Sequence, residues 1–143
     1  MKIDLGKAVD EAVEGITQQV KARAYRAANE LRSSALDVLS NERKRSGKVY
    51  RKPFTKKATY TASAPGEPPA LRSGILRMSW RQRAESENTG KGMTVKPAIT
   101  TDVKYAPILQ DGTKDGRIAP RPFREPIIEH AMPRIRQIFK EPY

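Results

Sequence analysis

The sequence of 143 residues contains no cysteine, one tryptophan and one histidine. Without cysteine, the chain forms neither a disulfide framework nor a thiolate metal site, and its composition is compatible with a reducing compartment. The single histidine, His130, cannot complete a usual zinc ligand set, and no paired serine or thiol forms a catalytic triad. We therefore expect no metal site, no cofactor and no enzymatic activity, and we interpret His130 as a surface or interface side chain.

Long apolar runs are missing as well. No run approaches the ~18 residues of a membrane span, and the first residues lack the apolar core of a signal peptide. The hydrophobic fraction is only 37%, which is low for a globular domain and indicates that part of the chain packs against partners. We expect a protein made in the cytosol, with no membrane contact.

Positive charge is abundant: the chain has 28 Lys and Arg residues and 16 Asp and Glu residues, which gives a net charge of +12. Such a balance favours association with nucleic acid or with acidic protein surfaces. The charge is densest in residues 43–57, which hold eight basic residues and no acidic one. These are Arg43, Lys44, Arg45, Lys48, Arg51, Lys52, Lys56 and Lys57.

The basic run has three interpretations. Lysine and arginine bind phosphates, and the neighbouring aromatic residues Tyr50, Phe54 and Tyr60 can stack on bases, so the run could contact DNA. It could also contact an acidic protein partner, or remain a solvated loop. We favour the protein partner, with or without passing DNA, and the other two interpretations stay open.

The first third of the chain predicts one long amphipathic helix, assigned to residues 1–45. Apolar residues recur every three or four positions from Leu5 to about Glu42, and Asp4 is the predicted N-cap. Such a helix would be ~55 Å long, about twice the diameter of a domain of this size, so part of it must project, bend or pack between subunits. Gly15 is the expected place for a break, and the sequence leaves open whether the helix is continuous.

Residues 46–72 are predicted to be an extended basic and proline-rich loop without a core of its own. Its prolines, among them Pro65, Pro68 and Pro69, fix φ and remove backbone donors, so the segment should lie extended on a surface. Loops of this length are usually functional or become ordered only on binding.

Residues 73–143 are predicted to form an α+β core. A short helix capped by Ser73 precedes a β-hairpin of residues 80–87 and 93–103, whose loop contains Gly90 and Gly92. Residues 105–110 form a short helix, and a C-terminal helix opens at Pro126 and kinks at Pro133. Trp80 is expected in the core rather than at a ligand site. The fold class is thus α+β in a single domain, with a long N-terminal helix, an extended loop, a small antiparallel β-sheet and a C-terminal helix.

Three motifs carry a resemblance to a known family. They are Pro65-Gly66-Glu67-Pro68-Pro69 with Ser73-Gly74-Ile75-Leu76 and Ser79-Trp80, then the pattern Tyr-Ala-x-x-Leu-x-x-Gly-Thr at residues 105–113, and Ala119-Pro120-Arg121-Pro122-Phe123. In this order they resemble the tail-completion or head-to-tail joining proteins of siphophages, a family of tailed-phage neck proteins. The resemblance covers roughly residues 60–140. The sequence departs from the family at Gln110, where the family often has glutamate.

The resemblance implies a small α+β protomer that assembles into a ring, expected to be a hexamer, in the neck of a virion assembled in the cytoplasm of a bacterial host. Its partners would be head-completion or stopper, tail-terminator and tail-tube proteins, with genomic DNA passing through the lumen. A free-standing basic nucleic-acid-binding protein is the alternative function.

We expect the motif residues to stabilise the protomer and its interface. In the clearest case, the guanidinium of Arg121 pairs with a partner carboxylate while the ring of Phe123 fills a partner pocket. Local packing at the start of the C-terminal helix explains the same residues equally well. The candidate interface residues are Tyr105, Leu109, Arg121, Pro122, Phe123, Pro65, Pro68 and Pro69.

Overall fold

The computed structural model describes residues 6–40, 45–90 and 92–143, with the backbone alone at residues 6–9 and 89. The elements in chain order are α1 (Gly6–Val38), β1 (Val49–Arg51), β2 (Thr59–Thr61), α2 (Ile75–Met78), β3 (Arg81–Thr89), β4 (Gly92–Thr100), α3 (Ala106–Asp111) and α4 (Arg124–Lys140). This order confirms the predicted α+β class. The predicted N-cap Asp4 and the basic residues Arg43 and Lys44 lie outside the described residues.

Helix α1 is continuous over 33 residues and passes through Gly15 without a break. It ends at Val38, so the predicted extension to residue 42 or 45 is wrong. Arg45 explains the earlier end of α1, because its guanidinium donates hydrogen bonds to the carbonyl of Val38 at 2.8 Å and to that of Pro69 at 3.3 Å. A side chain that binds the last carbonyls of a helix favours an end at that point.

Helix α4 packs antiparallel against the C-terminal half of α1. Ala27 of α1 meets Ala131 and Ile135 of α4, and the small alanine side chains let the two backbones approach closely. The buried hydroxyl of Ser34 donates to the carbonyl of Ile127 at 2.6 Å. Helix α4 starts two residues before Pro126, where it was predicted to open, and continues through Pro133.

The residues after α4 are bound to α1 by two arginines. Arg23 donates to the backbone carbonyls of Glu141 and Pro142, and its guanidinium lies 4.0 Å from the centre of the Tyr143 ring. Arg26 forms two hydrogen bonds of 2.8 and 2.9 Å with the Glu141 carboxylate. The hydrogen bond from Arg26 lowers the pKa of Glu141. The contacts of α4 and this tail therefore cover α1 only from Arg23 onward.

Strands β3 and β4 form the predicted hairpin, which packs on α1. The register runs from Arg81 opposite Thr100 to Thr89 opposite Gly92, so the connecting loop is two residues and not the five expected. Gly92 has φ of 128°, a conformation that side-chain-bearing residues rarely adopt, which allows this tight connection.

The main core lies between α1, the hairpin and the start of α4. Its buried residues are Ala35, Val38, Leu39, Leu76, Ala106, Phe123 and Ile127. The rings of Trp80 and Phe123 form a T-shaped pair with their centres 5.9 Å apart, so the half-buried Trp80 packs against the core as predicted.

Residues 46–72 are not a loop without structure of their own, and this prediction is wrong in part. Strands β1 and β2 pair in antiparallel fashion, with Tyr50 opposite Tyr60 and the two rings 6.1 Å apart. We call residues 47–62 the ribbon, because backbone hydrogen bonds from Gly47 to Ala62 and from Ala62 to Lys48 extend the pairing. Three-residue strands are too short to show an alternating pattern in the sequence, whereas cross-strand aromatic pairs stabilise them in the fold.

Candidate assembly surface

The three sequence motifs converge on one groove of about 690 Å³. Its walls come from the proline-rich segment, α2, α3 and the segment before α4, and the ribbon forms one side. The motif residues that line it are Pro69, Ser73, Gly74, Ile75, Leu76, Tyr105, Ile108, Leu109 and Arg121, and the ribbon contributes Pro53, Phe54, Tyr60 and Ala62. Residues that are far apart in the sequence therefore share one surface.

Backbone hydrogen bonds join the motifs directly. The amide of Gly66 donates to the carbonyl of Pro120 at 3.0 Å, and the amide of Arg121 donates to the carbonyl of Leu109 at 2.6 Å. Gly66, with φ of 86°, turns the proline-rich segment at this contact. Pro69 further along is buried, so the segment is partly packed into the protein and does not lie wholly on the surface as expected.

The glycine of the second motif ends α3 and starts a compact turn. Gly112 has φ of 74° and ψ of −176°, and its amide donates to the carbonyl of Ile108 at 2.8 Å. Thr113 then exchanges two hydrogen bonds with the backbone of Ile118. The hydroxyl of Thr113 also donates to Asp115 at 2.6 Å and lowers the pKa of that carboxyl. The segment is a turn, as predicted, in which Asp115 binds its own loop.

Gln110 caps helix α4. Its side-chain oxygen accepts hydrogen bonds from the amides of Phe123 at 3.0 Å and Arg124 at 2.9 Å, and its amide nitrogen donates to Glu125 at 3.1 Å. In the sequence, Gln110 is distinguished only as a departure from the family pattern, and nothing in its spacing indicates that it caps α4. The Gln110 contact also contributes to the lowered pKa of Glu125, after the larger effect of the backbone amide of Glu125 itself.

Replacing Gln110 with alanine is expected to lower the free energy of unfolding by about 1 kcal/mol, the usual effect of losing a side-chain cap. Gln110→Glu should lose less, because a carboxylate still accepts both amides and suits the positive helix end. The new carboxylate would lie beside the carboxylate of Glu125 and would have no N–H group to donate to it. The loss of stability in Gln110→Glu should therefore be largest at low salt, where this repulsion is least screened. Urea unfolding at two salt concentrations measures both variants, and equal losses would contradict the proposed cap.

Glu67 closes the base of the ribbon. Its carboxylate accepts hydrogen bonds from the hydroxyl and the amide of Ser46 and, at 2.9 Å, from the amide of Ala64. These bonds, led by the Ser46 hydroxyl, lower the pKa of Glu67 to about 2. The acid of the Pro-Gly-Glu-Pro-Pro motif thus ties the proline-rich segment to the chain that enters the ribbon.

The stabilisation from Glu67 should depend on pH in a defined direction. Because its pKa falls from 4.5 to about 2 on folding, the contribution is complete above pH 4.5 and is lost as the pH falls toward 2. The difference in unfolding free energy between the wild type and Glu67→Gln should therefore shrink over this range. Glu87→Gln, an exposed change on β3, is the control, and a Glu67→Gln effect that is constant from pH 7 to 2 would contradict this role.

The structure distributes the candidate interface residues unequally. Tyr105 and Pro65 are exposed, Pro69 and Phe123 are buried, and Leu109, Arg121, Pro122 and Pro68 are half-buried. Phe123 is only 4% exposed and fills the core of its own chain, as the local-packing alternative expects. Arg121 donates to the carbonyl of Ala119 at 3.1 Å. A role in an interface stays a prediction for these residues.

The basic residues of the run 43–57 differ in their exposure and in their contacts. Arg45 is half-buried and binds the end of α1, as described above. On the ribbon, Lys52 is half-buried, and the exposed basic residues are Lys48, Arg51, Lys56 and Lys57. Between them, Phe54 is fully exposed at φ of 61°. An exposed aromatic side chain with a positive φ is unusual, which makes Phe54 a candidate contact residue.

The described parts of the chain offer few candidate sites outside the groove and the ribbon. Across residues 6–40, 45–90 and 92–143, no cluster of three His, Cys, Asp or Glu side chains is arranged to hold a metal ion. The imidazole of His130 lies 3.2 Å from the carboxylate of Asp37. Among the helices described, none has the length and apolarity needed to cross a bilayer.

In comparisons with known proteins, no family model, no curated protein and no solved structure matches this chain.

Proposed function

We propose that this chain is a structural protein of a tailed-phage neck. It forms a ring, a hexamer by the resemblance, that joins head-completion and tail-terminator components and lets genomic DNA pass. The ring contacts stopper and tail-tube proteins, is assembled in the bacterial cytoplasm and resides in the virion. The protein acts by assembly and not by catalytic turnover.

The observation that carries the proposal is the convergence of the three motifs on one groove. Residues 65–69, 105–113 and 119–123 are separated in the sequence, yet the bonds from Gly66 to Pro120 and from Arg121 to Leu109 connect them. Motifs that were recognised only by their order thus form one structural unit. Together with the motif resemblance, this shared surface supports a role in assembly.

Exposed apolar side chains beside the groove support a role in assembly. Ile75 and Met78 of α2 and Ile108 of α3 are exposed, as are Tyr105 and Ile118 next to them. Adjacent exposed apolar residues on a chain with a small core are typical of protein contact surfaces. Heterologous contacts between identical protomers close into rings when the rotation permits.

Size-exclusion chromatography with light scattering, combined with imaging of particles labelled by an antibody to the chain, tests the proposal. We expect one discrete oligomer of ring mass and label at the neck. A chain that is monomeric at all concentrations and absent from particles would overturn the proposed function.

The nucleic-acid-binding alternative has one observation in its favour. The ribbon presents Lys48, Arg51, Lys56 and Lys57 to solvent, and the rings of Tyr50 and Tyr60 pair across its two strands. Phosphate contacts make affinity fall steeply with salt. A monomer whose affinity for DNA depends steeply on salt supports this alternative, whereas a ring with weak DNA affinity supports the neck protein.

A further inference from the structure

The N-terminal part of α1 extends beyond the rest of the protomer. From Asp10 to Ala22, only Thr17 and Val20 are even half-buried, and the buried face begins at Arg23. These 13 positions correspond to about 20 Å of helix at 1.5 Å per residue. We call residues 10–22 the projecting segment.

The apolar stripe of α1 continues along the projecting segment without a cover. Val13 and Ile16 are 57% and 52% exposed, and they follow the same three- and four-residue spacing as the buried Ala24 and Ala27 further along the helix. More than half of each of these two side chains is therefore accessible to solvent. Exposed apolar side chains on one stripe of a helix form a surface that a partner can bury.

The projecting segment is acidic in a strongly basic chain. Residues 10–22 contain three acidic residues, Asp10, Glu11 and Glu14, and one basic residue, Lys21. Asp10 and Glu14 are exposed, lie four residues apart and therefore share one side of the helix beside Val13. The segment thus combines negative charge with exposed apolar side chains.

The ribbon has the complementary character. Residues 47–62 contain five basic residues (Lys48, Arg51, Lys52, Lys56, Lys57) and no acid. Tyr50 and Phe54 add exposed aromatic surface. Opposite charges around apolar centres are the arrangement found across specific protein interfaces.

The two surfaces lie at opposite ends of one protomer. The chain enters the ribbon beside the C-terminal end of α1, where Arg45 binds Val38. Glu14 and Val38 are 24 residues apart along the helix, which is about 36 Å. The ribbon instead lines the groove beside α2 and α3, so the projecting segment and the ribbon meet only between different copies.

We propose that the projecting segment of one copy docks on the ribbon of the next copy. This inference rests on the proposed function, because it names the contact that builds the ring. The contact joins different surfaces of identical chains, so it repeats from copy to copy and closes when the rotation permits. Val13 and Ile16 pack against Tyr50 and Phe54, and Asp10 and Glu14 face the ribbon lysines.

Reciprocal charge reversal tests the contact. One variant carries Asp10→Lys and Glu14→Lys, and the other carries Lys56→Glu and Lys57→Glu. Each alone should weaken assembly by about tenfold or more, since two attractions become repulsions. An equal mixture should recover the wild-type assembly, because each helix then meets a ribbon of opposite charge. Sedimentation velocity over a concentration series measures the masses.

Matched controls carry the same changes of charge elsewhere. Glu85→Lys with Glu87→Lys changes β3, and Lys104→Glu with Lys114→Glu changes exposed loops. Both control pairs should assemble like the wild type, and circular dichroism checks that all variants are folded. Controls that disrupt assembly as strongly as the test pairs would contradict a specific contact.

The failures of the two proposals are distinguishable. A discrete wild-type ring that ignores both reversals, or a mixture that does not recover, overturns the docking contact and leaves the neck function standing. Loss of DNA binding in Lys56→Glu/Lys57→Glu without loss of assembly assigns the ribbon to nucleic acid and also overturns the contact. A wild type that is monomeric throughout and absent from particles overturns both.

Discussion

Replacing Phe123 with alanine is expected to lower the free energy of unfolding by about 3–5 kcal/mol, the range for removing a buried phenylalanine. Phe123 is 4% exposed, and its ring contacts the edge of Trp80 within the main core. Neighbouring residues Leu76 and Ile127 belong to the same buried cluster, so the cavity cannot be filled by solvent-facing side chains. Because domains are stable by about 5–15 kcal/mol in total, this loss is a large fraction.

Phe139→Ala is the matched control for this experiment. It makes the same chemical change on the exposed side of α4, where Phe139 is 41% exposed, and should cost less than about 1 kcal/mol. Urea unfolding followed by the fluorescence of Trp80 measures both variants. Similar losses for the two would contradict the position of Phe123 in the core.

The Phe123 result also decides which variant tests the interface. If Phe123→Ala loses stability, its absence from particles would reflect folding and not contact with a partner. Tyr105, which is exposed beside the groove, is the better probe. Tyr105→Ala should keep the stability of the wild type within about 0.5 kcal/mol, and any loss of assembly can then be assigned to the surface.

Replacing Gly112 with alanine is expected to cost about 2–3 kcal/mol, at the upper end for a single strained residue. Its φ of 74° with ψ of −176° lies in a region open almost only to glycine. A Cβ atom at this position would lie 2.6 Å from the carbonyl oxygen of Ile118 and 3.0 Å from Pro120. Both are parts of the backbone or a proline ring, so neither moves without disturbing the turn before α4.

Gly116→Ala separates the two causes of this cost. Gly116 has the same φ of 74°, but a Cβ there meets no atom within 4 Å. The Gly116 variant therefore reports the strain of a positive φ without a close contact, about 1–2 kcal/mol, and Gly112→Ala should exceed it. Thermal and urea unfolding compare the variants, and a Gly116 effect as large as that of Gly112 would show that the close approach is unimportant.

Several elements of the fold were predictable because they repeat a pattern over many residues. The three- and four-residue spacing of α1 and the glycines of the β3–β4 loop indicate a helix and a hairpin without reference to the rest of the chain. The ribbon was missed because three residues per strand are too few for a pattern. The end of α1 was misplaced because Arg45, which binds that end, acts only through the folded chain.

The candidate surface was predictable in part. The motif residues were found by their order, yet nothing in their spacing shows that Gly66 meets Pro120 or that Gln110 caps a helix 14 residues further along. Phe123 illustrates the limit: its sequence context fits an interface clamp and a core residue equally well, and burial distinguishes them.

The amino-acid sequence by itself determined the α+β class, the long amphipathic α1, the concentration of positive charge after it and the set of motif residues. These features depend on local spacing and composition, which act within a few residues. Only the tertiary structure decided that the motifs share one groove, that Phe123 is buried, and that an acidic helix end and a basic ribbon lie at opposite ends of the protomer. Such facts depend on contacts between residues far apart in the chain, and close packing creates those contacts only when the whole chain folds.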